Sequence, residues 1–275
     1  MCLQKTRVLW FVSSLYAILW YQLTTCAQQP DIVTIDRPTS LFNGKDLSQF
    51  TTWLKESQND DPKGIFQVTN GAIHISGEGT GCLATRNRYR DYHLSLEYKW
   101  GNRTDGSKYV RNSGVLLHAI GKEGSANESW MTSIEVQLAQ GCEGDIIVIR
   151  GLDENGEKIP ATASSETITA SDGKTRWKPG GEKTIYSGKQ FWWSKHEPGF
   201  QELKDTRGKE DVASPLGQWT TVDCICKKDR ISVRINGRTV NEVFDVFPSY
   251  GKILLQNEGN EVFFRNIVLR PIQEP

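Results

Sequence analysis

The sequence predicts an all-β protein, a jelly-roll β-sandwich of two packed antiparallel sheets with one long insertion loop. Two observations carry that expectation. Apolar residues recur with period 2 along most of the chain, while no stretch sustains the 3.6-residue period of a helix. Short polar turns separate the alternating segments, as expected where strands pair with their neighbours in two stacked sheets. With 275 residues, 37% of them hydrophobic, the chain is long enough for one large core and needs no second domain.

Residues 1–27 read as an export signal rather than as part of the fold. Lys5 and Arg7 precede an apolar run over residues 8–23, and the small residues Thr24, Thr25 and Ala27 follow. Cleavage after Ala27 leaves Gln28 first and places the mature protein in the periplasm or outside the cell. A lipoprotein anchored through Cys26 is an alternative. A permanent anchor is a third, although the run is short for a span of ~20 apolar residues. Residues 28–37 form an N-terminal lead, 38–271 the sandwich domain and 272–275 a tail.

Within the domain, Phe66-Gln67-Val68-Thr69 and Ala72-Ile73-His74-Ile75 flank Asn70-Gly71, a pair suited to the positive φ angles of a tight hairpin turn. Tyr92, Leu94, Leu96, Tyr98 and Trp100 alternate with polar residues over one long strand, so one of its faces belongs to the core. Two more strands follow, over residues 111–118 and 133–138. Alternation then fades over residues 151–215 into Gly, Pro, Ser and charged residues around Phe191-Trp192-Trp193, which predicts a long insertion that covers or builds a site. Strands resume over 219–227 and 230–235, turn at Asn236-Gly237, and end over 251–256 and 262–270.

Charge and cysteine content narrow the function classes. Lys plus Arg and Asp plus Glu both number 33, with no basic stripe to track phosphates, so no nucleic acid partner is expected. After signal cleavage Cys82, Cys142, Cys224 and Cys226 remain, with three pairings open in an oxidising compartment. Cys224 and Cys226 stand two apart on one strand and point to the same side, so they are poorly placed to bond each other. Buried thiols, or one bridge to Cys82 or Cys142, suit the pattern better.

The chemistry concentrates in Arg111-Asn112-Ser113-Gly114-Val115-Leu116-Leu117-His118, then Ser133-Ile134-Glu135-Val136-Gln137-Leu138, then Gly144-Asp145. On the second strand Glu135 and Gln137 share one face, and Ile134, Val136 and Leu138 the other. A carboxylate beside a carboxamide suits hydroxyl-rich ligands, and a solvated outer face of the sheet is the plain alternative.

These segments, with Leu41-Phe42-Asn43-Gly44-Lys45-Asp46-Leu47, Leu255-Gln256-Asn257-Glu258-Gly259 and Phe264-Arg265-Asn266-Ile267, make an ordered set. In that set the chain resembles the 3-keto-disaccharide hydrolase domain family over residues 38–271. The resemblance implies a concanavalin A-like jelly roll, export, and action on 3-keto-glucosides as lyase, hydratase or hydrolase. A sugar 3-oxidoreductase acting upstream is then an expected pathway partner.

A ketone at C3 acidifies the C2 hydrogen, so a base removes that proton and the C1 substituent leaves, and hydration completes a net hydrolysis. Glu135 is the first choice for the base. His118 is a candidate acid or electrophile, and Arg111 a candidate to stabilise the enolate, with a solvated loop cation as its alternative. Gln137, Asp145 and Glu258 are candidates for substrate binding, with turn capping open for the two carboxylates. A divalent metal held by Glu135 and His118 is a candidate cofactor. Trp130, Trp192 and Trp193 are candidate stacking platforms for a sugar ring. His74 and His93 read as structural, and His196 as part of a charge cluster.

A retaining β-glucanase of the same fold carries Glu-x-Asp-x-x-Glu. Here the strand reads Glu135-Val136-Gln137-Leu138-Ala139-Gln140, and amides cannot serve as nucleophile and proton donor. Besides the enzyme, a non-catalytic carbohydrate-binding β-sandwich and an envelope scaffold stay open.

Overall fold

A computed structural model describes residues 32–193 and 199–273. Residues 1–27, where the export signal is expected, with Cys26, and also His196 lie outside the described residues. The rest is all β: β1 (Ile32–Thr34), β2 (Thr39–Ser40), β3 (Phe50–Leu54), β4 (Phe66–Thr69), β5 (Ala72–Ile75), β6 (Thr80–Thr85), β7 (Arg88–Arg90), β8 (Tyr92–Trp100), β9 (Gly114–Ile120), β10 (Thr132–Gln137), β11 (Ile146–Ile149), β12 (Thr162–Thr169), β13 (Thr175–Trp177), β14 (Glu182–Ile185), β15 (Thr220–Lys227), β16 (Arg230–Ile235), β17 (Arg238–Phe247), β18 (Lys252–Glu258) and β19 (Val262–Arg270).

Two antiparallel sheets face each other. The six-stranded sheet runs β11-β10-β9-β18-β6-β3, and the 11-stranded sheet runs β13-β12-β17-β16-β15-β8-β19-β5-β4, with β14 beside β12 and β2 beside β19. β1 and β7 make a short parallel pair at the edge. No helix among the described residues is long and apolar enough to cross a membrane.

Alternation on β8 decides the layering. Tyr92, Leu94, Leu96, Tyr98 and Trp100 are buried, while the residues between them are only partly so. They pack with Val222, Cys224, Val233, Phe264 and Leu269 of the large sheet against Leu83, Val115, Leu117, Ile134, Val136 and Leu255 of the small one. The far face of the small sheet is not bare. Residues 121–131 lie over it and place Ala126, Trp130 and Met131 on Cys82, Ala84, Leu116 and Leu254. Two indoles pin that cover, Trp53 Nε1 donating to the Glu128 carbonyl at 3.0 Å and Trp130 Nε1 to the Gly81 carbonyl at 3.3 Å.

The insertion expected over residues 151–215 is only partly loop. β12, β13 and β14 arise inside it, and β12 pairs with β17 to extend the large sheet. The Thr- and Ser-rich sequence of β12 hides its alternation, because hydroxyl side chains fit a strand without marking which face is buried. All four described cysteines are buried free thiols.

Truncating Phe264, fully buried between the sheets, removes packing on both. Phe264→Ala is expected to cost about 3–5 kcal/mol, read as a lowered urea midpoint with an unchanged slope.

Candidate functional site

The register of β10, β9 and β18 builds a polar row on the covered face of the small sheet. Gln137 pairs with Gly114. On the other side of β9, Leu255 pairs with Val115, which sets Gln256 beside Gly114. Glu135 precedes Gln137 on the same face, and Glu258 follows Gln256 where β18 ends.

Gly114 gives the row its geometry. A Cβ there would stand 2.5 Å from Glu135 Oε1 and 3.1 Å from Gln256 Oε1, so both side chains fold into the space the glycine leaves. Asn112 Nδ2 donates to Glu258 Oε2 at 2.8 Å. Gln137 Oε1 accepts from the backbone N–H groups of Leu138 and Ala139, at 3.1 and 3.2 Å, which commits its oxygen and leaves its NH2 as the donor. Gln256 Oε1 and Asn112 Oδ1 are buried acceptors without a partner. The site therefore offers more acceptors than donors, as a cluster of sugar hydroxyls requires.

Its electrostatics follow from burial. Glu135 is 3% exposed, so the solvated-face alternative is overturned, and its environment holds no countercharge. Desolvation, and then repulsion from Glu258, push its pKa up to about 8, opposed only by the Gln256 carboxamide. Burial alone lifts Glu258 to about 7. Two carboxyl groups on one face thus share protons near neutral pH.

Other expected site residues serve elsewhere. His118 does not join Glu135. It adopts φ +56°, and the pairing of β9 slips by one residue on both sides at this point. The bulge turns the ring into the inter-sheet core, edge-on to Tyr92 at 5.7 Å. There Nδ1 donates to the Pro248 carbonyl at 3.1 Å. Burial pushes the imidazole down to about 4, so it stays neutral and cannot act as the acid.

Arg111 is no free cation either. Its guanidinium bonds Asp205 at 2.9 Å and the carbonyls of Gly101 and Arg103 at 3.0 and 3.3 Å. Asp145 is fully buried and accepts from Gln190 Nε2 at 2.6 Å and the Trp193 N–H at 3.0 Å, so it ties the insertion to the start of β11. Trp130 and Trp193 are buried in apolar clusters with no ring face to offer a sugar. Lys174 Nζ stands 3.2 Å over the ring of Trp192. His74 and His93 pair with Glu261 and Asp223, each at 2.8 Å.

Among the described residues no three His, Cys, Asp or Glu side chains converge as metal ligands, and Glu135 and His118 face opposite sides of the sheet.

The model of the 3-keto-alpha-glucoside-1,2-lyase-like domain matches residues 37–270. The chain belongs to this family. A search of curated proteins found no match. The fold is shared with a proposed glycosyl hydrolase from Parabacteroides distasonis, at 18% identity and a TM-score of 0.50 over 86% of this chain and 94% of that one. A second such structure from the same organism has 18% identity and a TM-score of 0.47, over 86% and 100% of the two chains. A carbohydrate-binding module from Bacillus subtilis has 9% identity and a TM-score of 0.46, over 87% and 99%.

In this family member Gln256, Asn112 and Gly114 complete the site that sequence reasoning centred on Glu135. The signal for Gln256 is the same as for Gln137, since Gln256 and Glu258 alternate on an apolar strand just as Glu135 and Gln137 do.

Two measurements check the site. Gly114→Ala should push the Glu135 carboxyl from its slot, so that the protein stays folded by circular dichroism while ligand binding or turnover falls about tenfold or more. Because the folded pKa of Glu135, about 8, lies above its ordinary 4.5, the folded state binds the extra proton between those values, and its stability falls as pH rises through that window. Glu135→Gln should flatten that part of the urea-midpoint profile.

Proposed function

We propose that this protein cleaves 3-keto-glucosides by elimination across C1–C2, followed by hydration. The observation that carries the reading is the pair Glu135 and Glu258, two buried carboxyl groups on one face of the small sheet, each feeling the loss of water and Glu135 also the charge of Glu258, with pKa values lifted to about 8 and about 7. Between these values the pair holds one proton and presents one base and one acid.

Glu258, half-buried at the end of β18, ionises first and takes the C2 proton. Reasoning from sequence puts the base at Glu135, and deeper burial reverses that order. Glu135, still protonated, gives its proton to the departing C1 oxygen. The products are a 3-keto-2-hydroxyglucal and the released alcohol, and the two carboxyl groups have exchanged protonation states. Hydration then reverses the roles. Glu135 takes a proton from water as it adds to C1, and Glu258 returns its proton to C2, which yields the 3-keto sugar and restores the pair. The Gln137 NH2 is the donor for charge developing on the ketone oxygen, worth several kcal/mol in a water-excluded site.

The substrate requires an oxidoreductase upstream that acts at C3 of the sugar. We further infer export of the chain, from the basic and apolar pattern of residues 1–27.

In D2O, a 3-keto-glucoside should release its aglycone with deuterium incorporated at C2. Glu135→Gln and Glu258→Gln should each lower kcat by about 10²–10⁴. Activity should rise with pH as Glu258 ionises and fall as Glu135 loses its proton, with a narrow maximum between about 7 and 8. Binding of the ketosugar without exchange or release would instead favour a carbohydrate-binding module, for which the unpartnered carboxamide oxygens of Gln256 and Asn112 would be the recognition groups.

A further inference from the structure

Away from the Glu135 row, a cavity of about 110 Å³ opens at one end of the sandwich, lined in part by Trp100, Gln140, Glu143, Asp205 and Arg207. Glu143 sits in the connection between β10 and β11 and is 2% exposed. Its Oε2 has no partner, and neither does the indole Nε1 of Trp100. Trp100 and Glu143 both line the cavity, and Tyr98 stands behind them, its ring edge to face with Trp100 at 5.8 Å and its hydroxyl against Thr220 and Glu143.

A buried polar atom left unsatisfied costs about 1–3 kcal/mol, so two lining one cavity mark a place built for a partner. We propose that this cavity is a second binding site, for a small neutral hydroxylated molecule such as the diol edge of a monosaccharide.

The lining selects that class. Trp100 Nε1 only donates, and a carboxyl accepts and, when protonated, also donates. A ligand with adjacent hydroxyls satisfies both. An anion would meet the carboxyl groups of Glu143 and Asp205. A metal ion would lack a ligand set, since no three such side chains converge among the described residues. The guanidinium of Arg207, which donates to the Ser214 and Ala213 carbonyls at 2.9 and 2.6 Å, is a further barrier to a cation.

Burial lifts the Glu143 carboxyl to about 8, so at neutral pH it is mostly uncharged and suits a neutral guest. The volume is below the ~150 Å³ that holds a benzene ring, so part of a pyranose enters rather than the whole ring. This inference does not depend on the reaction proposed above.

The Trp100 indole N–H reports the site directly. In the full-length ¹⁵N-labelled protein, its ¹H–¹⁵N resonance, identified by its loss in Trp100→Phe, should shift saturably as D-glucose is added to millimolar concentration. Glu143→Gln should weaken that binding about tenfold, the equivalent of ~1.4 kcal/mol, and Glu135→Gln should leave it unchanged, which separates this site from the catalytic row. Saturation transfer to D-glucose that weakens in Trp100→Phe gives the same answer should Glu143→Gln not fold. An indole resonance unmoved by both D-glucose and glycerol shows a cavity that holds water only and overturns the proposal. So does a shift of equal affinity in a folded Glu143→Gln protein, or saturation transfer undiminished in Trp100→Phe.

Discussion

Glu135 is a carboxyl group buried without a countercharge, and much of the small sheet is arranged to tolerate it. Moving an unpaired carboxylate out of water is costly enough that the group keeps its proton instead. Its slot exists because β9 presents Gly114 at that position, and the large core on the opposite face of the same strands supplies stability that offsets the polar row. A sheet with a side chain at position 114 would have no room for the Glu135 carboxyl or the Gln256 carboxamide.

The cover on this face is divided. Residues 121–131 fill one part with Ala126, Trp130 and Met131, and the polar row occupies the other. Burial lifts both carboxyl pKa values, to about 8 and about 7, the range in which, in the proposed reaction, one group gives a proton while the other takes it. A retaining glycosidase holds a permanent nucleophile beside its acid. In the proposed elimination both groups would exchange protons and neither would need to bond to the sugar.

Several residues of catalytic type serve architecture instead. Arg111 fastens residues 101–111 to Asp205, Asp145 fastens the insertion to β11, and His118 fastens a bulge to Pro248. Each satisfies buried backbone or charged groups that the long loops of the sandwich leave behind. These ties hold the segments around the polar row and around the cavity beside Glu143. The cavity wall is held in part by Gln140, whose Oε1 accepts from the Arg111 and Asp205 N–H groups at 3.2 Å each.

Local pattern was enough for much of this. Alternation on residues 92–100, the Asn70-Gly71 hairpin and the pairing of Glu135 with Gln137 on one face follow from the period of a strand, and so the sequence by itself determined an all-β sandwich with a polar row at Glu135. The ordered motifs determined the family. Tertiary structure decided what parity cannot carry. One extra residue at His118 inverts the side-chain alternation of β9 and removes the histidine from the site, and no local signal distinguishes a bulge from a regular strand at a non-glycine residue. Hydroxyl-rich β12 joins the large sheet only because β17 offers it an edge. Pairing of β9 with both β10 and β18, distant in sequence, brings Glu258 and Gln256 to Glu135. Charge state belongs to the fold as well, because desolvation depends on everything packed around a carboxyl group and on none of its sequence neighbours in particular.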